Sequence, residues 1–231
     1  MPIINMVYKK KWRWKPWANT IAWYKFEWDA KDYSWNWYDL TANWNVSYTT
    51  LNWRQVVYMQ GSSSWNSTKL QSANFARSAT IPSTYSIWCR TNTTSGSYPN
   101  QYILFQSVQN ASPRNRQWIM TARWNGDYRI WLTSNSWLDT WIYPYKWDNT
   151  FHHIVATIDT STSKLYVDGV NVYTWSWTSS ISYTNWINVW SNDNTYYWFN
   201  GYIWDAILES KIWSAEDVSN YYNSTKSNYG L

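Results

Sequence analysis

Glu27, Asp29 and Asp32 stand as E-x-D-x-x-D near the start of the chain. Two kinds of chemistry use such a group. Glycoside hydrolysis needs two carboxyls across the scissile bond, ~5–9.5 Å apart and one with a raised pKa. On a strand, Glu27 and Asp29 at i and i+2 would share a face, but Asp29 falls where a turn is expected, which takes it out of that register. Calcium suits these acids better. A hard cation collects oxygens from carboxylates, amides and backbone carbonyls on a bent loop, and Asp29-x-x-Asp32 followed by Ser34 and Asn36 supplies them. The competing reading is structural, with Asp32 and Asn36 holding Asx turns through their side chains.

His152 and His153 are the only histidines, and Cys89 is the only cysteine. Adjacent strand residues point to opposite faces, so the two imidazoles cannot grip one ion. No Cys or Ser signature flanks them, and both are expected to pack structurally. Cys89, in an expected core strand, reads as packing rather than as a nucleophile. One cysteine also excludes a disulfide framework and a Cys-based zinc site. The run Asn192-Asp193-Asn194-Thr195-Tyr196-Tyr197 sets hydrogen-bonding amides and a carboxylate beside aromatic rings. That is the chemistry of sugar binding, with Asn192, Asp193, Tyr196 and Tyr197 as candidate ligand contacts.

The elements that must position these groups are strands. The chain has 231 residues, 45% hydrophobic and 14% charged, rich in Asn, Ser, Thr and aromatics, which favours an all-β domain over a helical bundle. Short candidate strands recur at roughly the 8–12-residue spacing of a sandwich: 21–27, 85–91, 102–107, 118–122, 128–133, 151–159, 164–173, 187–189 and 199–209. In 151–159, Ile154, Ala156 and Ile158 alternate with Val155 and Thr157, the period of a strand with one more apolar face. Asp168-Gly169 predicts a tight hairpin, suited to a type I′ turn. Ser214-Ala215-Glu216-Asp217 is a capping pattern that predicts one short C-terminal helix. No apolar run approaches the ~18 residues of a membrane-spanning helix.

Residues 1–19 form a basic arm. Lys9, Lys10, Lys11, Arg13 and Lys15 account for the formal charge of +5, and the domain over 20–231 is then balanced. That argues against a nucleic-acid face on the domain. Taken literally, the stretch KKKWRWKPW resembles a cationic membrane-surface peptide; with glycine for tryptophan it becomes a flexible linker. The opening has no apolar stretch and is not a readable secretory signal.

Tryptophan and glycine are inverted in number, 24 against 6, where glycine ordinarily makes up about 7% of a chain. Many tryptophans occupy turn-glycine positions. Asn36-Trp37, Asn43-Trp44, Asn52-Trp53 and Asn185-Trp186 stand where Asn-Gly, the strongest hairpin signal, would stand. Ser34-Trp35, Trp175-Ser176-Trp177 and Trp190-Ser191-Asn192-Asp193 are similar. A UGA codon that the source lineage reads as glycine, translated here as tryptophan, would produce this pattern.

Read that way, residues 24–37 become YKFEGDAKDYSGNG, which resembles the opening hairpin of LamG-like jelly-roll domains in the concanavalin A-like lectin/glucanase superfamily. Tyr85-Ser86-Ile87-Trp88, Phe151 to Asp159, Lys164 to Gly169, and Asn200 to Asp205 followed by Ser214 to Asp217 resemble further family segments in the expected order. The resemblance covers about residues 20–225. It implies a two-sheet antiparallel jelly-roll sandwich, a true tryptophan at Trp88, and a non-catalytic extracellular module. Its partners would be a glycan or an extracellular protein, with a structural domain of a cell-surface fibre as the alternative and a glycoside hydrolase the more remote one. The resemblance also places a structural calcium where the first loop meets the late strand, adding Asp205 to Asp29 and Asp32.

Overall fold

The computed structural model describes residues 18–43, 46–51, 53–60, 69–72, 82–92, 101–107, 116–121, 128–133, 149–159, 161–176, 186–189 and 199–231. Among these, the strands in chain order are β1 (Thr20–Tyr24), β2 (Leu40–Asn43), β3 (Val46–Leu51), β4 (Arg54–Met59), β5 (Lys69–Ser72), β6 (Ser83–Thr91) and β7 (Gln101–Ser107). They continue as β8 (Arg116–Thr121), β9 (Tyr128–Thr133), β10 (His152–Ile158), β11 (Ser163–Val167), β12 (Val170–Trp175), β13 (Trp186–Val189) and β14 (Gly201–Glu209). One helix, α1 (Ala215–Thr225), follows, with a 3₁₀ turn at Lys226–Tyr229.

All ladders are antiparallel. One sheet runs β12-β11-β10-β6-β14-β4-β3, with β1 sharing an edge of β14, and the other runs β2-β5-β13-β7-β8-β9. The two-sheet antiparallel sandwich with one short C-terminal helix is therefore the observed architecture. Strand alternation divides the side chains. From the first sheet, Ile87, Cys89, Ile154, Ala156, Ile158, Val57 and Ile203 join Leu40, Leu70, Ile187 and Val189 of the second in one core. The opposite face of β6, β10 and β14 turns Trp88, Val155, Trp204 and Ile207 outward, where α1 and the 3₁₀ turn cover them with Val218 and Tyr229.

The helix starts where the capping pattern predicts. Ser214 Oγ accepts from Asp217 N at 3.0 Å, and Asp217 Oδ2 accepts from Ser214 N at 2.9 Å, so two orphan donors are satisfied reciprocally. Ser214 is reached from Trp213, whose indole donates to Glu209 Oε2 at 2.6 Å and whose backbone N donates to Thr84 Oγ1 at 2.9 Å. Asp168 and Gly169 take φ of 50° and 83° between β11 and β12, both left-handed, as a type I′ turn requires.

The expected strands are present with shifted ends. The first stops at Tyr24 rather than at residue 27, and 164–173 splits into the two arms of its hairpin. β2, β3, β4 and β5 were not expected; β2, β3 and β5 are short and largely polar, and β4 buries the adjacent Val56 and Val57, which breaks a clean apolar alternation. The arm over residues 1–17 and the tryptophans at 44, 177 and 190 lie outside the described residues.

Candidate functional site

After β1 the chain turns at Phe26, held at φ 52° by full burial, and comes back to pair Asp32 opposite Tyr24. Asp32 organises the loop. Its Oδ1 accepts from Trp23 N at 3.0 Å and Ser34 N at 2.8 Å, and its Oδ2 accepts from Ser34 Oγ at 2.8 Å and Tyr38 N at 3.1 Å. The bond from Ser34 N is an Asx turn. Asn36 donates through Nδ2 to the Thr20 and Ile21 carbonyls at 3.0 and 2.9 Å, so it ties the loop to β1 rather than forming an Asx turn. Asp29 is peripheral, accepting from Lys31 N at 3.2 Å and Tyr33 OH at 3.4 Å.

Asp205 lies on β14, where its Oδ1 accepts from Trp23 Nε1 at 2.7 Å and its Oδ2 from Tyr221 OH. Burial pushes this carboxyl up to about 6 against the opposing pull of those two bonds. The donor set does not fit calcium. The oxygens of Asp32 and Asp205 are already engaged by N–H and O–H donors, and no three acidic, His or Cys residues among the described ones form a group that could hold a metal.

The histidines face opposite sides of β10. His152 Nδ1 lies 2.7 Å from Asp168 Oδ2, while Asp168 Oδ1 accepts from His153 N at 2.9 Å, locking the hairpin turn to its neighbouring strand. His153 Nε2 lies 2.8 Å from Ser86 Oγ, a cross-strand partner 67 residues away and therefore unseen in local sequence. The His153 ring stacks on Trp88 at 5.0 Å and is fully buried, which lowers its pKa to about 3. A neutral, sealed imidazole beside a serine has no route to substrate. Cys89 is likewise fully buried, with its thiol pushed up by desolvation.

The open chemistry lies beside the first loop, in a cleft of about 250 Å³ lined by Glu27, Trp28, Trp53, Arg54, Gln55 and Trp204. It is built by three elements: the loop after β1, the β3–β4 hairpin, and β14. Trp204 packs against Tyr229 with ring centroids 4.0 Å apart, and the Arg54 guanidinium lies 5.0 Å from the Trp204 ring centroid. Arg54 Nη2 also donates to Asn228 Oδ1 at 2.5 Å, which fixes the fork at the rim. Gln55 Nε2 donates to Thr50 Oγ1 at 2.5 Å, while its Oε1 is buried without a partner. A carboxylate and a guanidinium on the lining of such a cleft can bind a polyol through bidentate hydrogen bonds. Sequence reading missed this site because β4 was not recognised, although Asn52-Trp53 carried the hairpin signal that would have found it. The sugar-binding candidates Asn192, Asp193, Tyr196 and Tyr197 lie outside the described residues.

The Laminin G 3 family model, described as the concanavalin A-like lectin/glucanases superfamily, matches residues 60–219. The chain belongs to this superfamily. Among solved structures, the concanavalin A-like domain is similar to domain 4 of AbnA, a GH43 extracellular arabinanase from Geobacillus stearothermophilus, in complex with arabinotriose. The TM-score is 0.64 at 15% identity, over 87% of this chain and 97% of that one. It is also similar to botulinum neurotoxin type C, whose cell entry depends on interaction with two ganglioside molecules, with a TM-score of 0.68 at 17% identity over 89% of this chain and 51% of that one. The binding domain of botulinum neurotoxin DC, in complex with rat synaptotagmin II, gives 0.69 at 18% identity over 89% and 51%. The concanavalin A-like domain thus spans about half the length of those neurotoxin chains, and the likeness is one of fold. No curated protein matches the sequence closely enough to count as a relative.

Proposed function

We propose that this concanavalin A-like domain is a non-catalytic recognition module working outside the cell, and that the cleft between the first loop and the β3–β4 hairpin binds carbohydrate. The observation that carries the reading is the composition of that cleft. Glu27, Arg54 and Gln55 place planar hydrogen-bonding groups along its lining, with the Arg54 guanidinium over the buried Trp204 ring. Glu27 is the single carboxylate among the lining residues, whereas hydrolysis needs a pair about 5–9.5 Å apart. The ganglioside-binding and arabinotriose-bound relatives of the fold support the ligand class.

A glycan array with the purified domain, run with and without millimolar calcium, tests the reading. Binding to a defined glycan, unaffected by calcium and weakened at least about ten-fold by Glu27→Gln, is expected; each tenfold corresponds to about 1.4 kcal/mol. Silence across the array would favour a protein-contact role in a surface fibre instead. Release of reducing sugar from a bound glycan would overturn the non-catalytic assignment.

A further inference from the structure

Five of the described tryptophans form two contrasting physical classes. Trp35, Trp37 and Trp53 have φ of 75°, 63° and 67° and are 68%, 85% and 97% exposed. In that left-handed region the Cβ of an L-residue crowds the following carbonyl oxygen, and glycine enters it freely. Trp88 and Trp213 are the opposite. Trp88 is fully buried and stacked 3.8 Å from Tyr229, and Trp213 is buried with its indole N–H on Glu209.

Two internal comparisons sharpen the contrast. Phe26, also bulky, is held at φ 52°, but it is wholly buried in the core and stacked on Tyr24, so packing compensates the strain. The three exposed indoles have no such compensation. The β3–β4 hairpin pairs Leu51 with Arg54, and Trp53 immediately precedes Arg54. The β11–β12 hairpin pairs Val167 with Val170 across Asp168 and Gly169. Trp53 thus occupies, with the same sign of φ, the place that glycine fills in the β11–β12 hairpin.

We infer that the protein made in its own cell carries glycine at the positions of Trp35, Trp37 and Trp53 and tryptophan at Trp88 and Trp213, the first set encoded by UGA and the second by UGG. For the carbohydrate cleft, and resting on that reading, the consequence is a more open site. The wall formed by Trp53 disappears, and Glu27, Arg54 and Gln55 carry recognition beside Trp204.

The gene and the native protein test this without reference to any ligand. Codon sequencing and tandem mass spectrometry of peptides from the source organism are expected to give TGA with glycine mass at positions 35, 37 and 53, and TGG with tryptophan mass at 88 and 213. TGG at any of the first three, or TGA at either of the last two, would overturn the inference. A second measurement stands apart from the gene. Trp35→Gly, Trp37→Gly and Trp53→Gly should each raise the folding equilibrium constant about five-fold, the equivalent of roughly 1 kcal/mol, and Trp88→Gly should lower it steeply. No gain at any of the three exposed sites would remove the strain on which the inference stands.

Discussion

Asp205 shows how a carboxylate can serve packing at the expense of its own ionisation. Trp23 on β1 and Tyr221 on α1 both donate to it, so one side chain links an edge strand to the helix across β14. Its pKa is raised from 3.8 to about 6, chiefly by burial. The folded state therefore holds the proton more tightly than the unfolded chain does. This group's contribution to stability is complete below 3.8 and is lost as pH rises through about 6. We predict that the stability difference between the native protein and Asp205→Asn narrows over that window, by up to about 3 kcal/mol. Urea unfolding at several pH values measures it, and a difference independent of pH would contradict the assignment. His153 needs the opposite treatment. Buried and held to about 3, it stays neutral at every pH of interest, so Trp88 and the tyrosines of α1 pack on an uncharged ring.

At the scale of elements, the helix is defined by its start. Ser214 and Asp217 exchange two hydrogen bonds, and the bond from Ser214 N holds the Asp217 carboxyl below its ordinary range. Ser214→Ala should cost about 1 kcal/mol, read by chemical denaturation, and the loss should shrink at acidic pH as Asp217 protonates. A loss under a few tenths would mean that docking by Val218, Tyr221 and Tyr222 fixes the helix without its cap. The capping pattern was legible because it is local: two residues three apart satisfy each other in any context. β2 to β5 were not legible. Val46–Leu51 mixes exposed and half-buried residues without strict alternation, and without a fully buried face the period-two signal is weak.

At the scale of the whole molecule, Gly201 at the start of β14 is more tightly constrained than Gly169. A Cβ there would sit 2.1 Å from the Arg90 carbonyl oxygen and 3.0 Å from Thr91 Cα. Since Gly201 pairs with Thr91 on β6 and with Met59 on β4, the strand cannot move away without opening two ladders. Gly201→Ala is expected to destabilise the domain by at least about 3 kcal/mol, seen as a lowered Tm or as loss of soluble protein. A variant as stable as the parent would show that this part of the sheet yields. Trp88→Ala, which empties the stack under the helix, belongs to the same scale and should cost about 3–5 kcal/mol in the same assay.

The sequence by itself determined what depends on neighbours along the chain. Alternation in 151–159, the Asp168-Gly169 turn, the Ser214 cap and the indoles at turn positions 35, 37 and 53 were readable, because backbone preference and face periodicity are short-range properties. So was the family, through several weak segments in a fixed order. Trp175 and Trp186, expected at turns, fall instead within β12 and β13. Tertiary structure decided the rest. Asp205 was read as a calcium ligand from the family resemblance, but what engages its oxygens is an indole 182 residues earlier and a phenol 16 residues later. Ser86 and His153 meet only because β6 and β10 lie side by side. Glu27 joins Arg54 and Gln55 only because the β3–β4 hairpin folds against the first loop. Each of these depends on which strand becomes another's neighbour, which packing of the two sheets selects and no local pattern encodes.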